Sequence, residues 1–175
     1  MPTAPKQRNT GNTEVYNDAI TFRGKTQLYP LGNKRIEEGK TYRYVKFDLG
    51  SSGTNLYQNA VAFQSTNFDN PWLITMDGVS EDPSFVVGIT QGIPEQDDFG
   101  WILTKGVQNV FADFITVISK GEALYADPAF NFIVRRLPMT FGTITAADLR
   151  AALERPIGWC LNKTGSTVRA WIDLD

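Results

Sequence analysis

The sequence predicts a mainly β fold, a β-sandwich or barrel of about ten short strands with one short C-terminal helix and an extended N-terminal arm. Three observations lead there. Apolar and alternating runs are brief and punctuated by glycine and proline, the runs are rich in β-branched and aromatic side chains, and a single stretch carries helical spacing.

Residues 1–19 are poor in apolar groups and rich in Thr, Asn, Pro and Gly, a composition that buries too little surface to offset the entropy of ordering. Two readings stand for this segment: an extended arm that lies along a neighbouring subunit, anchored by Val15, Tyr16 and Ile20, or a frayed terminus. Residues 20–175 read as a single mainly β domain, because no serine or glycine linker is long enough to divide them. Strands are expected over Thr41–Asp48, Asn59–Gln64, Trp72–Met76, Phe85–Gln91, Gly100–Thr104, Val107–Phe111, Glu122–Ala126, Asn131–Arg135, Gly158–Leu161 and Thr167–Asp173. In Tyr42-Arg43-Tyr44-Val45-Lys46-Phe47 the side chains alternate so that one face packs and the other is partly wet. Lys105-Gly106, between two apolar runs, reads as a tight hairpin with glycine taking the positive φ. The helix is expected from Thr145 to Pro156: Thr145 caps it with Asp148 three residues on, and Ala146, Leu149 and Leu153 share a face. Pro156 ends it after about nine residues, too few to stand without a sheet to lie on.

The chain has 175 residues, 42% of them hydrophobic and 21% charged, the proportions of an ordinary globular protein able to build its own core. The 17 basic and 19 acidic residues are scattered rather than gathered, so nucleic acid is not an expected partner. Cys160 is the only cysteine, which rules out an intramolecular disulfide. No apolar run approaches ~18 residues and none follows the basic residues of the N-terminus, so neither a membrane span nor an export signal is expected. The sequon Asn162-Lys163-Thr164 therefore carries little weight. Histidine is absent. Its absence removes the imidazole base near neutral pH, the Ser-His-Asp and Cys-His arrangements, and the ordinary zinc or non-haem iron site.

Several constellations remain to be weighed. Glu95, Asp97 and Asp98 crowd one loop, which reads as a cation site or, equally well, as a solvated turn whose spacing is not that of a calcium hand. A carboxylate pair such as Asp77 with Asp97 could in principle cleave glycosides without histidine, and the sequence does not show that they meet. The glycines of Leu49-Gly50-Ser51-Ser52-Gly53-Thr54-Asn55 resemble a phosphate cradle in composition alone, since no Gly-Lys-Ser/Thr follows. Arg135 and Arg136, adjacent on a strand, point to opposite faces. Trp72, Trp101, Trp159 and Trp171 lie in or beside strands, where such side chains most often fill a core, with a sugar-stacking platform or a contact between chains as the alternatives. Cys160 reads as a small buried hydrophobe. No cofactor motif stands out.

The stretch from Leu28 to Lys46, with Pro30-Leu31-Gly32 followed by Lys34-Arg35 and then Tyr42-Arg43-Tyr44, resembles the opening of structural proteins of tailed phages. Val86-Val87-Gly88, then Phe99-Gly100-Trp101-Ile102-Leu103 and Gly106, then Gly121-Glu122-Ala123-Leu124, are similar in order to elements of phage head decoration, or capsid cement, proteins. The resemblance covers most of residues 28–125; residues 142–175, with the expected helix and two tryptophans, lengthen the chain beyond a minimal member. It implies a non-enzymatic protein without catalytic residues, made in a bacterial host and carried on the outer surface of the virion. Its implied partners are the major capsid protein and copies of itself, as trimers or dimers. The expected docking residues are Tyr16 and Ile20 of the arm, with Tyr29, Leu31, Arg35, Tyr42 and Tyr44 beyond it. Two rival classes are carried beside this one: a carbohydrate-binding or host-recognition module using exposed tryptophans, and a carboxylate-pair glycosidase.

Overall fold

The computed structural model describes residues 16, 18–49, 58–65, 70–75, 86–112, 118–127, 133–135 and 156–174. Among the described residues the molecule is mainly β, 57% of them in strands, with no helix. Its strands are β1 (Arg23–Gly24), β2 (Lys34–Glu37), β3 (Lys40–Phe47), β4 (Val61–Gln64), β5 (Leu73–Thr75) and β6 (Val86–Thr90). The long β7 (Phe99–Phe111) follows, then β8 (Ala123–Asp127), β9 (Ile133–Arg135), β10 (Gly158–Thr164) and β11 (Thr167–Asp173).

Five of these strands close on themselves. The order β3-β5-β4-β6-β7 returns to β3 because β3 pairs with β5 on one edge and with β7 on the other, making a closed five-strand barrel. Only the β3–β5 pairing is parallel; the other four seams are antiparallel. Closure removes the exposed edges that an open sheet of this length presents. Beyond the barrel, β7 continues into a second sheet in the order β7-β11-β10-β8-β9.

The barrel forms where β-branched and aromatic residues concentrate. Val45, Phe47, Val61, Phe63, Ile74, Ile89, Ile102 and Leu103 are all fully buried. The alternation in β3 does not leave a wet face. Val45 and Phe47 are buried on one side, and Tyr42 and Tyr44 are buried on the other. The chain between Tyr16 and Tyr29 covers that second side, packing Tyr16 and Tyr29 against Tyr44 and Trp101.

The expected hairpin at Lys105-Gly106 is not a reversal. β7 runs through these residues unbroken, with Lys105 opposite Thr41 of β3 and Asp173 of β11. Gly106 does have a positive φ of 125°, and a Cβ there would lie 3.2 Å from the Lys40 Cα. The glycine marks the bend at which β7 leaves β3 and takes up β11, a role that composition alone does not separate from a turn. The true tight hairpin is earlier. Glu37 faces Lys40 across Glu38-Gly39, whose φ values of 51° and 76° make the two-residue turn that matches strand twist. Glutamate rarely adopts that conformation, so β2 and its turn gave no clear signal. β1 and β2 are additional to the expected strands; of Asn131–Arg135 the described residues Ile133–Arg135 are strand, and Gly158–Leu161 lengthens to Thr164. The helix expected at Thr145–Pro156 lies outside the described residues but for Pro156 itself, and so does the arm but for Tyr16, Asp18 and Ala19.

In the second sheet, Gly158 of β10 lies hard against β11: a Cβ there would come within 2.0 Å of the Trp171 carbonyl oxygen. Backbone cannot yield as a flexible side chain can. Replacing Gly158 with alanine is therefore expected to force β10 from β11 and to lower stability by about 3 kcal/mol. Urea unfolding measures this, and an unchanged midpoint would contradict so close an approach.

Candidate functional site

Two regions carry unusual side chains, one internal and one on the surface. The internal one begins at Asp18, whose side chain is almost wholly enclosed. Its carboxylate accepts hydrogen bonds from the Tyr29 hydroxyl (2.7 Å) and the Trp101 indole N–H (2.8 Å), and lies 3.5 Å from the Arg35 guanidinium. Arg35 also donates to the Asp18 backbone carbonyl (2.9 Å) and pairs with Glu37. A buried carboxylate needs such company, because an uncompensated charge in a dry interior costs several kcal/mol. The guanidinium lies over the Tyr16 ring at 5.0 Å and the Trp101 ring at 5.6 Å. Tyr16 in turn donates to the Lys34 carbonyl oxygen (2.6 Å).

The expected docking residues meet here. Tyr16, Tyr29, Arg35 and Tyr44 join one cluster around Trp101, Tyr42 is buried on the same face of β3, and Ile20 and Leu31 are partly buried against the core. In the isolated chain, then, these side chains hold the root of the N-terminal segment to the barrel. Burial pushes the Tyr44 phenol above its usual range, opposed by the Leu28 amide that donates to it at 3.1 Å. Burial does the same to Tyr42, with Glu37 and Glu38 adding to it. The sequence assigns no such role to Asp18 and Trp101, the two residues at the centre; an aspartate two residues after Tyr16 in an otherwise polar stretch is the only local signal.

The acidic loop is occupied by cations from its own chain. Lys25 reaches Asp98 (2.9 Å) and Glu95 (3.3 Å), and Lys46 pairs with Asp97 at 2.6 Å. The Lys46 ammonium, hydrogen-bonded to Asp97, holds that carboxyl below the usual range. Asp98 also accepts from the Glu95 amide at 2.8 Å, closing the turn. Among the described residues no three acidic or thiol groups gather as a metal site would require. Asp77, Arg136 and residues 50–55 lie outside the described residues, and Arg135 is described in its backbone only.

The tryptophans divide. Trp101 is fully buried as expected, and Trp72 is partly buried beneath the Arg43 guanidinium at 5.4 Å. Trp159 and Trp171 are not core residues: they are 42% and 37% exposed. Cys160 between Trp159 and Leu161 is buried, and burial raises its thiol pKa with Glu122 adding to the effect. The reason is the strand period. Along β11, Val168, Ala170 and Ile172 point inward while Arg169 and Trp171 point out, with Thr167 and Asp173 at the margins. Along β10 Trp159 points out, and a bulge after Cys160 turns Leu161 and Asn162 outward together.

Register then aligns the outward side chains in rows across the sheet. Trp171 lies opposite Val107 of β7 and opposite Trp159 of β10, and Trp159 lies opposite Ala123 of β8. The row Val107–Trp171–Trp159–Ala123 is apolar, with exposed Leu161 beside it. A polar row flanks it on one side, Asn109–Arg169–Asn162. On the other side Asp173 faces Lys105 and is ion-paired with it at 3.0 Å.

No known protein-family model matches the chain, and no curated protein sequence matches it.

The internal cluster is testable in two ways. Asp18→Ala leaves the Trp101 and Tyr29 donors without their acceptor and removes one of the two carboxylates beside Arg35, and is expected to cost about 3 kcal/mol in urea unfolding; a loss within error of zero would show that the cluster does not anchor the segment. In alkaline titration followed at 295 nm, Tyr42 and Tyr44 should hold their protons beyond the ordinary tyrosine range. Their folded-state values are raised, so the stability they contribute is complete below the free-tyrosine value and is lost as pH rises through the folded one. A single titration of all six tyrosines at the ordinary midpoint, with the β circular-dichroism signal intact, would contradict their burial.

Proposed function

We propose that this chain is a non-enzymatic structural protein of a virus particle, a capsid decoration or cement protein that stabilises a phage head by binding the major capsid protein and copies of itself. The observation that carries the reading is the outward row Val107–Trp171–Trp159–Ala123. Two tryptophans held side by side in water on a rigid sheet are an unfavourable arrangement unless something covers them, and contact surfaces favour aromatic side chains with arginine at their margin. The motif order between Leu28 and Leu124 supports placing that surface on a phage shell, and a chain without histidine suits a part that works by contact rather than by proton transfer. The N-terminal segment, rooted at Asp18, would supply a contact with the major capsid protein or a sister copy. Each contact is modest, and repetition over a symmetric shell multiplies it.

A second reading rests on the same pair. Exposed indoles flanked by Asn109, Asn162 and Arg169 also suit carbohydrate, whose apolar ring faces stack on aromatics while its hydroxyls take hydrogen bonds.

Purified virions of the parent phage are expected to contain the protein, and shells lacking it to rupture at lower temperature or force than shells carrying it. Equal resistance removes the cementing role. Binding on a glycan array that disappears with Trp159→Ala, without any effect on shells, would favour the carbohydrate reading instead.

A further inference from the structure

The tryptophan face has a polarity along the strands that the proposed self-association does not by itself require. On β11 the outward residues run Arg169, Trp171, Asp173: a cation, an aromatic and an anion at two-residue spacing. Their neighbours repeat the order in rows. Arg169 stands between Asn109 and Asn162, Trp171 between Val107 and Trp159, and Asp173 beside Lys105. Arg169 is exposed and makes no ion pair among the described residues.

We infer that this face binds the same face of a second copy, through a two-fold axis running along the tryptophan row between two sheets with antiparallel strands. This rests on the reading of the chain as a self-associating module and names the surface that does it. Sheets that pack face to face lie about 10 Å apart, close enough for outward side chains to meet. With the axis along the row, Trp171 meets the partner's Trp171, Trp159 meets the partner's Trp159, and Arg169 of each copy comes opposite Asp173 of the other. The alternative axis, parallel to the strands, puts Arg169 over Arg169 and Asp173 over Asp173. Charge therefore selects the first arrangement and opposes the second. The pattern is self-complementary in the way a closed two-fold dimer needs, with one patch serving both partners.

The same pattern answers why the surface charges sit where they do. Asp173 is paired with Lys105 at 3.0 Å, and both side chains are partly exposed. An ion pair this exposed adds little to the fold of its own chain. Its use is positional. The apolar row is small beside the roughly 800 Å² that each partner of a stable complex buries, so the dimer is weak in free solution and gains strength where a shell holds many copies at high local concentration.

The test is a pair of charge-reversed chains. Arg169→Glu gives a face with two anions, and Asp173→Lys gives one with two cations; both positions are at the surface, so each variant should fold, which circular dichroism checks. Sedimentation is followed across a concentration series extending into the high micromolar range. Wild type should dimerise, and each variant alone should associate at least roughly tenfold more weakly. Their one-to-one mixture should recover dimer. There the new anion of the Arg169→Glu chain meets the new cation of the Asp173→Lys chain, while the unchanged Asp173 of the first meets the unchanged Arg169 of the second. Trp159→Ser together with Trp171→Ser should abolish association. A wild-type dimer that survives the double tryptophan change overturns this surface and leaves self-association standing through another. Association without recovery in the mixture overturns the antiparallel axis. Absence of any association in wild type and in the mixture overturns both this inference and the self-association on which it rests.

Discussion

The architecture depends on one strand being long enough to belong to two sheets. β7 spans Phe99–Phe111, and its first part pairs with β3, β6 and β1 while its second pairs with β11 along seven positions. Backbone groups of an unpaired strand need partners, so wherever β7 leaves one neighbour it must gain another. The handover falls at Lys105 and Gly106, where Lys105 faces both Thr41 and Asp173 and the glycine admits the close approach of Lys40. Closing the barrel and positioning the tryptophan sheet are thus two consequences of the same strand. A distortion at its middle would be felt at both.

The barrel's second face is covered by a polar hub rather than by aliphatic packing. Tyr16, Tyr29, Tyr44 and Trp101 meet edge to face or tilted, with centroids 5.0–5.4 Å apart, an arrangement that suits their quadrupoles. Each of these aromatics except Tyr44 presents its polar atom to the Asp18–Arg35 cluster or to the Lys34 carbonyl, and Tyr44 receives the Leu28 amide instead. The hub is satisfied within the chain. Residues whose aromatic and basic character resembles that of an interface have been used to make an interface inside one molecule, between the N-terminal segment and the barrel.

The outward face shows the opposite choice. β10 and β11 send their small and branched residues inward, where Val168, Ala170 and Ile172 are fully buried, and leave two indoles in water. Burying those indoles within the chain would have needed only a shift of one residue in register, since successive side chains alternate between faces. The opposing arrangement is held by the close fit of Gly158 against the Trp171 carbonyl, which fixes how β10 meets β11. The exposed row is accordingly a property of the pairing geometry, and it supports reading the sheet as a contact surface.

The class of fold was legible because strand alternation and residue type are local properties: most expected strands lie within a residue or two of the observed ones. The absence of histidine and the lone Cys160 likewise limit the available side-chain chemistry by composition alone. Local pattern did not distinguish Gly106 as a bend from Gly106 as a turn, because both need the same backbone freedom and differ only in what lies beyond. Nor did it assign Tyr44 and Trp101 to a buried hub but Trp159 and Trp171 to the surface, since all four sit in strands of similar composition. Those outcomes were decided by pairing between segments distant in sequence, Asp18 with Trp101 and Val107 with Trp171, which no window along the chain contains. Sequence alone determined which residues prefer to be strands; which face of each strand meets water was decided when β7 chose its neighbours.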